Sequence, residues 1–440
     1  MMEIFDSEEL EINKAIEKAN IAVSRFGIIR SFYEQKLTQD FPKFIIFHAQ
    51  GSKSGLFSDG IESEYNTTGS SHNLNLAKLK ALSEIFERYS GTVYRSKYFI
   101  KGSFNELKEK AFNPCDVVSF SKKQLSTKDF EKFRFDKNTN FKWIEGISLI
   151  SGKKILVPVQ LVYWNYRVDS EPIIQVGLST GIAGGTSYAG ATLRAIFEIV
   201  ERDAFMITWL NQLNLKEIEF SKKSQLKKMT DEFKRYKFEL HVFYSKTNVK
   251  IHSFIAIMID RTRNPPIIGC GLKAGLNPEE TIIASIEESF HSMPWRRDIA
   301  VKIPNKKIKP EAVSSFEDRI LYWNQRGKLK ELNFLLENSK KIELSELQNY
   351  STGSCLKDLE FVKEDFKEKN LETIVVDITP IDVKQMEFKE VKVLVPKMQP
   401  LYLNEKYRYL GGHRLYEIPI LLGFKNRREE ELNKTPHPFL

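Results

Sequence analysis

Hydrophobic and polar positions along this chain alternate between two rhythms, one helical and one of period two. From about Ser7 to Val23, the apolar residues Leu10, Ile12, Ala15, Ile16 and Ala19 fall on one helical face. Further helices are expected over 74–92, 225–236, from Asn277 or Pro278 to about His291, and over 316–324 and 329–336. Runs rich in β-branched and aromatic residues predict strands at 44–47, 141–150, 155–166, 240–244, 253–259 and 266–272. Two late core strands are expected at 371–378 and 391–395. Strands this closely spaced pair antiparallel, so the expected class is α+β, with mixed or antiparallel sheets covered by helices.

One stretch organises the rest: Ser179 to Phe205, reading STGIAGGTSYAGATLRAIFEIVERDAF. Three glycines in its first seven residues exclude a helix interior or a central strand, so a glycine-rich turn is expected there. Thr186 or Ser187 then serves as N-cap, and the free N–H groups and dipole of the following helix favour an anion such as phosphate. Glu198, Glu201 and Arg202 stand at i, i+3 and i+4 and share a face, and a carboxylate pair of this kind suits a hard cation. The plain alternative is a solvated face, since Arg194, Glu198 and Arg202 also form an i, i+4 ladder.

A second copy weighs against that alternative. Gly69 to Ser90 reads GSSHNLNLAKLKALSEIFERYS, and Ala77, Ala81, Glu84, Glu87 and Arg88 keep the spacing of Ala191, Ala195, Glu198, Glu201 and Arg202. Lys80 takes the place of Arg194. Such a repeat points to an internal duplication or to a site built twice from one solution. Helices related by it can face each other, and four converging carboxylates repel unless cations lie between them. Magnesium with a nucleoside triphosphate fits that demand. A third helix carries Ala284, Glu287 and His291; Glu287 follows an alanine by three residues, as Glu84 and Glu198 do. His291, one turn on, reads either as a nucleotide or substrate contact or as an ordinary surface histidine. At the end of the chain, Pro436 and Pro438 flank His437 and stiffen an extended segment, which either carries its carboxylate into a cleft or simply docks.

Composition narrows the class. The 440 residues are 41% hydrophobic and 28% charged, which is the balance of a globular protein with up to three domains. Cys115, Cys270 and Cys355 are far apart with no C-x-x-C pair, which argues against a disulfide framework or a cysteine zinc site and for a reducing, cytoplasmic setting. The net charge of +9 is spread along the chain without an aromatic-interleaved basic stripe, so nucleic-acid binding is not supported. The acidic N-terminus lacks the apolar core of a signal peptide, and no apolar run is long enough for a membrane span.

The two Glu-x-x-Glu-Arg segments, the S-T-G-x-A-G-G run leading to E-x-x-E-R-D-A, the late Arg414-Leu415-Tyr416 and the Pro436-His437-Pro438-Phe439 terminus together resemble the YcaO superfamily. The resemblance is greatest to the cyclodehydratase D proteins of thiazole/oxazole-modified peptide pathways, and spans roughly Gly27 to the last residue. It implies a YcaO-like fold around a non-Walker ATP cleft, in which Glu84, Glu87, Glu198 and Glu201 hold Mg²⁺, with Glu287 a fifth candidate from its spacing. Arg202 is then expected near the phosphates and Ala183 and Thr186 against the nucleotide. Ser70, Ser71, Ser179, Arg88 and His291 complete the cofactor-binding candidates. In the tail, Pro436, Pro438 and Leu440 are the catalytic candidates. The chain departs from the family at Gly69-Ser70-Ser71 (often Gly-Lys-Gly), at Phe290 or His291 (commonly a glutamine), at Pro396-Lys397-Met398 (Pro-Gly-Leu) and at Leu440 (usually proline).

The implied chemistry is ATP-dependent. A Cys, Ser or Thr side chain of a precursor peptide attacks the preceding amide, the amide oxygen takes the γ-phosphoryl group, and phosphate leaves to give an azoline. Residues 1–60 are expected to be an N-terminal segment that docks a partner, and 61–440 the catalytic domain. With no leader-binding domain recognised before residue 60, an E1-like or leader-binding partner is expected, together with the precursor peptide, a flavin-dependent dehydrogenase and a homodimer. Rival readings are a thioamide- or amidine-forming enzyme and a non-catalytic scaffold or ribosome-associated factor. The intact acidic pairs argue against the last.

Overall fold

A strand running almost directly into a helix is the motif on which the acidic residues are mounted. The computed structural model describes residues 7–53, 58–60, 65–177, 179–221, 224–303 and 306–440; the first six residues of the acidic N-terminus and parts of the 1–60 segment lie outside them. In chain order the strands are β1 (Ile29–Gln35), β2 (Ile45–Gly51), β3 (Asn66–Ser71), β4 (Ile100–Ser103), β5 (Asn140–Ser148), β6 (Lys154–Pro158) and β7 (Ile182–Gly185). They continue with β8 (Lys216–Glu219), β9 (Phe238–Tyr244), β10 (His252–Asp260), β11 (Ile267–Gly275), β12 (Lys341–Glu343), β13 (Ile374–Asp377) and β14 (Lys389–Leu394). The longer helices are α1 (Ile12–Asn20), α2 (Leu74–Ser90), α3 (Tyr188–Asn211), α4 (Gln225–Arg235) and α5 (Pro278–His291). After them come α6 (Met293–Lys302), α7 (Phe316–Trp323), α8 (Cys355–Glu368) and α9 (Arg414–Leu421).

The chain forms two units. The first comprises Met1–Gln35, Ile45–Ile199 and Thr352–Met398; the second comprises Lys36–Phe44, Val200–Ser351 and Gln399–Leu440. In the first unit, β1, β2 and β3 form an antiparallel sheet on which α1 and α2 pack through Ala15, Ala19, Ala77, Ala81, Ile85 and Phe86. A Cβ on Gly69 would lie 2.1 Å from Ala77 O and 2.4 Å from Ala81 N, so β3 and the α2 backbone touch directly. A second antiparallel sheet runs β4-β5-β13-β14-β7, with β6 also on β5.

The second unit is built on the sheet β11-β10-β9-β8-β12, antiparallel except for the parallel β12–β8 pair. One sheet is therefore mixed and two are antiparallel, within the expected class. Every residue of β10 is buried, because this strand has neighbours on both edges and cover on both faces. Gly271 repeats the Gly69 approach: a Cβ there would lie 2.1 Å from Ser285 O and 2.3 Å from Ser289 N of α5. Among the described residues, no helix is long and apolar enough to cross a membrane.

Three differences from the expected elements have local causes. The strand read at 155–166 stops at Pro158, which has no N–H for the ladder, and a short 3-10 turn follows. The glycine-rich segments are only partly turns: Thr180–Gly181 turns, with Gly181 at φ 81°, but Ile182–Gly185 is an edge strand paired with β14, and Gly69–Ser71 ends β3. An edge strand needs partners on one side only, which tolerates glycine better than a central position does. The first helix begins at Ile12, with Glu8 and Glu9 making side-chain bonds ahead of it.

Candidate functional site

The first unit gathers three glutamates, each held by a backbone N–H of a strand or of the turn leading into one. Asn73 caps α2 by accepting from Leu76 N, and Ser187, rather than Thr186, caps α3 by accepting from Gly190 N. Glu84 accepts from Thr68 N at 3.3 Å and from Arg88 at 2.7 and 3.1 Å. Glu198 accepts from Gly181 N at 2.8 Å. Glu87, on the first copy's helix, accepts from Gly184 N, on the second copy's strand, at 3.0 Å. Burial, together with repulsion from Glu84 and Glu198, raises the Glu87 carboxyl to about 8. The repeat read from the sequence thus converges in space for Glu84, Glu87 and Glu198.

The missing side chains of β7 make room for charges. A Cβ on Gly184 would lie 2.3 Å from Glu390 Oε1, because Gly184 and Glu390 are ladder partners and the glutamate folds over the glycine. Glu390 is fully buried, and neither carboxylate oxygen has a hydrogen-bond partner. Burial and repulsion from Glu87 push its carboxyl well above the usual range. Two residues on, buried Lys392 donates to Thr180 O at 2.6 Å, and burial lowers it to about 8 against the pull of Glu198. A Cβ on Gly185 would strike Arg194 Nη2 at 2.1 Å. Arg194 donates to Gly184 O and grips Glu9 at 2.6 and 2.7 Å, while Glu9 also accepts from Thr186 N at 3.2 Å. The N–H expected to meet an anion at this turn therefore meets one from the chain's own N-terminal segment.

The remaining candidates of this unit lie close by. Ser70 and Ser71 are buried in β3, where Ser70 O accepts from Lys80 and Ser71 Oγ from Asn73 N. Ala183 is buried opposite Val391, and Ser179 is exposed just before β7. The Arg88 guanidinium stands 5.8 Å from the Trp164 ring centre.

Val200 onward, α3 belongs to the second unit. There Glu201 is buried, with Arg202 Nε at 3.3 Å and Lys273 of β11 at 3.8 Å. Lys273 is also 3.1 Å from Glu288, and against its burial Glu288 and Glu201 keep it protonated above its usual range. Glu287 is buried on α5, and His291 is half-buried at the end of that helix.

The tail is docked. The carbonyls of Thr435, Pro436, His437 and Pro438 accept in turn from Trp209 (2.8 Å), Trp323 (3.1 Å), Arg319 (2.7 Å) and Arg296 (2.8 Å). Arg202 lies over the Phe439 ring at 4.1 Å, and Leu440 packs on Ile299, Ile320 and Leu321. Of the sequence-read candidates, Glu201, Arg202, Glu287, His291, Pro436, Pro438 and Leu440 belong to this unit, and Glu84, Glu87 and Glu198 to the first.

Sequence reasoning did not find Glu9, Arg194 as an anchor, Glu390, Lys392, Lys273, Glu288 or the four tail donors. One signal was present: Glu390 and Lys392 interrupt a run of valines, and charges inside a buried strand usually have a task. Among the described residues, no group of three or more His, Cys, Asp or Glu forms a ready cation cage. Mg²⁺ often lacks one, taking one or two carboxylates and completing its shell from phosphate and water.

A duplicated strand–helix motif that concentrates carboxylates under a glycine-rich edge strand, within an α+β fold, defines the class. The chain belongs to the YcaO family: the family model described as YcaO cyclodehydratase, ATP- and Mg²⁺-binding, matches residues 68–399. A heterocyclase solved in complex with substrate and cofactor shares the fold over 99% of this chain at 22% identity and a TM-score of 0.81, and this chain spans 60% of that protein's length. YcaO from Methanopyrus kandleri, bound with AMPPCP and Mg²⁺, matches 92% of this chain and 95% of its own at 16% identity and a TM-score of 0.67. A chain of the E. coli microcin synthetase McbBCD complex matches 83% of this chain and 87% of its own at 14% identity and a TM-score of 0.53.

Proposed function

We propose that this protein binds ATP with Mg²⁺ and phosphorylates a backbone amide oxygen of a ribosomal precursor peptide, so that an adjacent Cys, Ser or Thr side chain closes into an azoline. The observation that carries the reading is the convergence of Glu84, Glu87 and Glu198, each pinned by a backbone N–H, in a chain of the YcaO family. The residues fit the cation: crowded, half-buried carboxylates that repel one another are relieved by a divalent ion. When bound, Mg²⁺ would neutralise charge on the transferring phosphoryl group.

Glu84, Glu87, Glu198 and Glu201 would hold the metal, with Glu287 as a further ligand. Arg88 and Arg202 would face phosphate oxygens, while Ser70, Ser71, Ser179, Ala183, Thr186 and His291 would contact the nucleotide. The backbone N–H groups that hold the glutamates keep them from swinging into solvent between turnovers. The tail residues Pro436, Pro438 and Leu440 would orient the peptide, their backbone held by the Trp and Arg donors. A leader-binding partner protein of the E1-like kind would deliver the peptide, docking on the 1–60 segment, and a flavin-dependent dehydrogenase would act on the azoline. The reading includes a homodimer and a cytoplasmic setting.

Calorimetry with a non-hydrolysable ATP analogue and Mg²⁺ tests the assignment. Glu198→Ala and Glu201→Ala should each weaken binding by roughly 10- to 100-fold while the melting curve keeps its shape. Wild-type affinity in both variants would end it. ATP turnover by the chain alone should be slow and should accelerate with partner and precursor peptide.

A further inference from the structure

Glu390 is the buried acid that the reading above leaves without a task of its own. Its side chain is shut off from solvent, and both of its oxygens lack a donor. Burying polar oxygens without hydrogen bonds is costly, and β14 could spare itself that cost with a valine like its neighbours Val391 and Val393. Arg194 attracts the carboxylate, yet its guanidinium donates to Glu9 and to Gly184 O. The carboxylate occupies the space that a side chain on Gly184 would fill, and the N–H of that same glycine holds Glu87. Two carboxylates therefore flank one glycine, one of them anchored and the other with free lone pairs.

We propose that Glu390 and Glu87 share a divalent cation of the Mg²⁺ class, so that the acidic site extends across β7 to β14. The proposal rests on the nucleotide–metal reading above and adds a ligand to it. Gly184 is then required for a positive reason: any side chain there would displace the ligand. Glu390→Gln keeps shape and volume while removing the charge, so it separates ligation from packing.

The experiment follows Mn²⁺ by electron paramagnetic resonance with the full-length protein, with and without the ATP analogue. Glu390→Gln should lose one bound Mn²⁺ or bind it roughly 10- to 100-fold more weakly, with a melting temperature equal to or above wild type in metal-free buffer. Glu87→Gln should lose the same equivalent, and the double variant should lose no more than either alone. Full stoichiometry and affinity in Glu390→Gln, with the analogue still bound by wild type, overturns this inference and leaves the nucleotide reading standing. A wild-type protein that binds neither Mn²⁺ nor the analogue overturns both.

Discussion

At position 184 a single absent methyl group decides what the neighbouring strand can carry. A Cβ there would approach Glu390 Oε1 to 2.3 Å, so Gly184→Ala must push the carboxylate aside or shift the strand. The expected cost is about 1–3 kcal/mol. Adding Glu390→Ala to the same chain should recover most of it, because the two residues compete for one space. Denaturant midpoints of the two single variants and the double test this, and simply additive losses would refute it.

Glu87 makes a pH prediction. Its carboxyl is raised from 4.5 to about 8 in the folded protein, with burial the largest cause. Between those values the folded state keeps a proton that the unfolded state has released, so the unfolded state binds fewer protons and stability falls as pH rises. Metal-free protein should therefore lose stability between about pH 5 and pH 8, and Glu87→Gln should flatten that slope. An unchanged slope in the variant would show that other groups govern it.

Strand–helix contact is the recurrent device at the scale of elements. Gly69 against α2 and Gly271 against α5 place a strand backbone on a helix carbonyl and the N–H one turn later. The atoms that an added Cβ would strike are backbone, which cannot rotate away. Gly69→Ala and Gly271→Ala should each destabilise by about 3 kcal/mol, read as a lower denaturant midpoint at constant m. The helices carrying this device were legible because their apolar spacing and acidic pairs are local. Strand β3 was not, since Asn66-Thr67-Thr68-Gly69-Ser70-Ser71 contains no large apolar residue and acquires strand geometry from the β2 ladder beneath α2. The apolar run beyond Pro158 misled in the other direction, because composition favours a strand while the missing N–H ends one.

Over the whole molecule, the tail is the segment whose fate depends most on distant residues. Four buried donors, Trp209, Trp323, Arg319 and Arg296, take consecutive tail carbonyls, and Arg296 is lowered to about 10 by burial and by Arg319. Deleting Thr435–Leu440 would remove all four of those acceptors and empty the Phe439 site. The melting temperature should then fall far more than on removal of Leu440 alone, each stranded donor costing about 1–3 kcal/mol. Equal melting temperatures for the two truncations would mean that the clamp contributes nothing.

The chain by itself determined the two Glu-x-x-Glu-Arg helices, their duplication and the family, because these rest on spacings of three and four residues that a helix converts directly into a shared face. Tertiary structure decided which N–H holds each glutamate, that Glu9 sits at the start of α3, and that Glu390 lies over Gly184. These pairings come from strand register and helix packing between segments far apart in sequence. A one-residue slip of β14 would turn Glu390 to the opposite face, and no local pattern records that register.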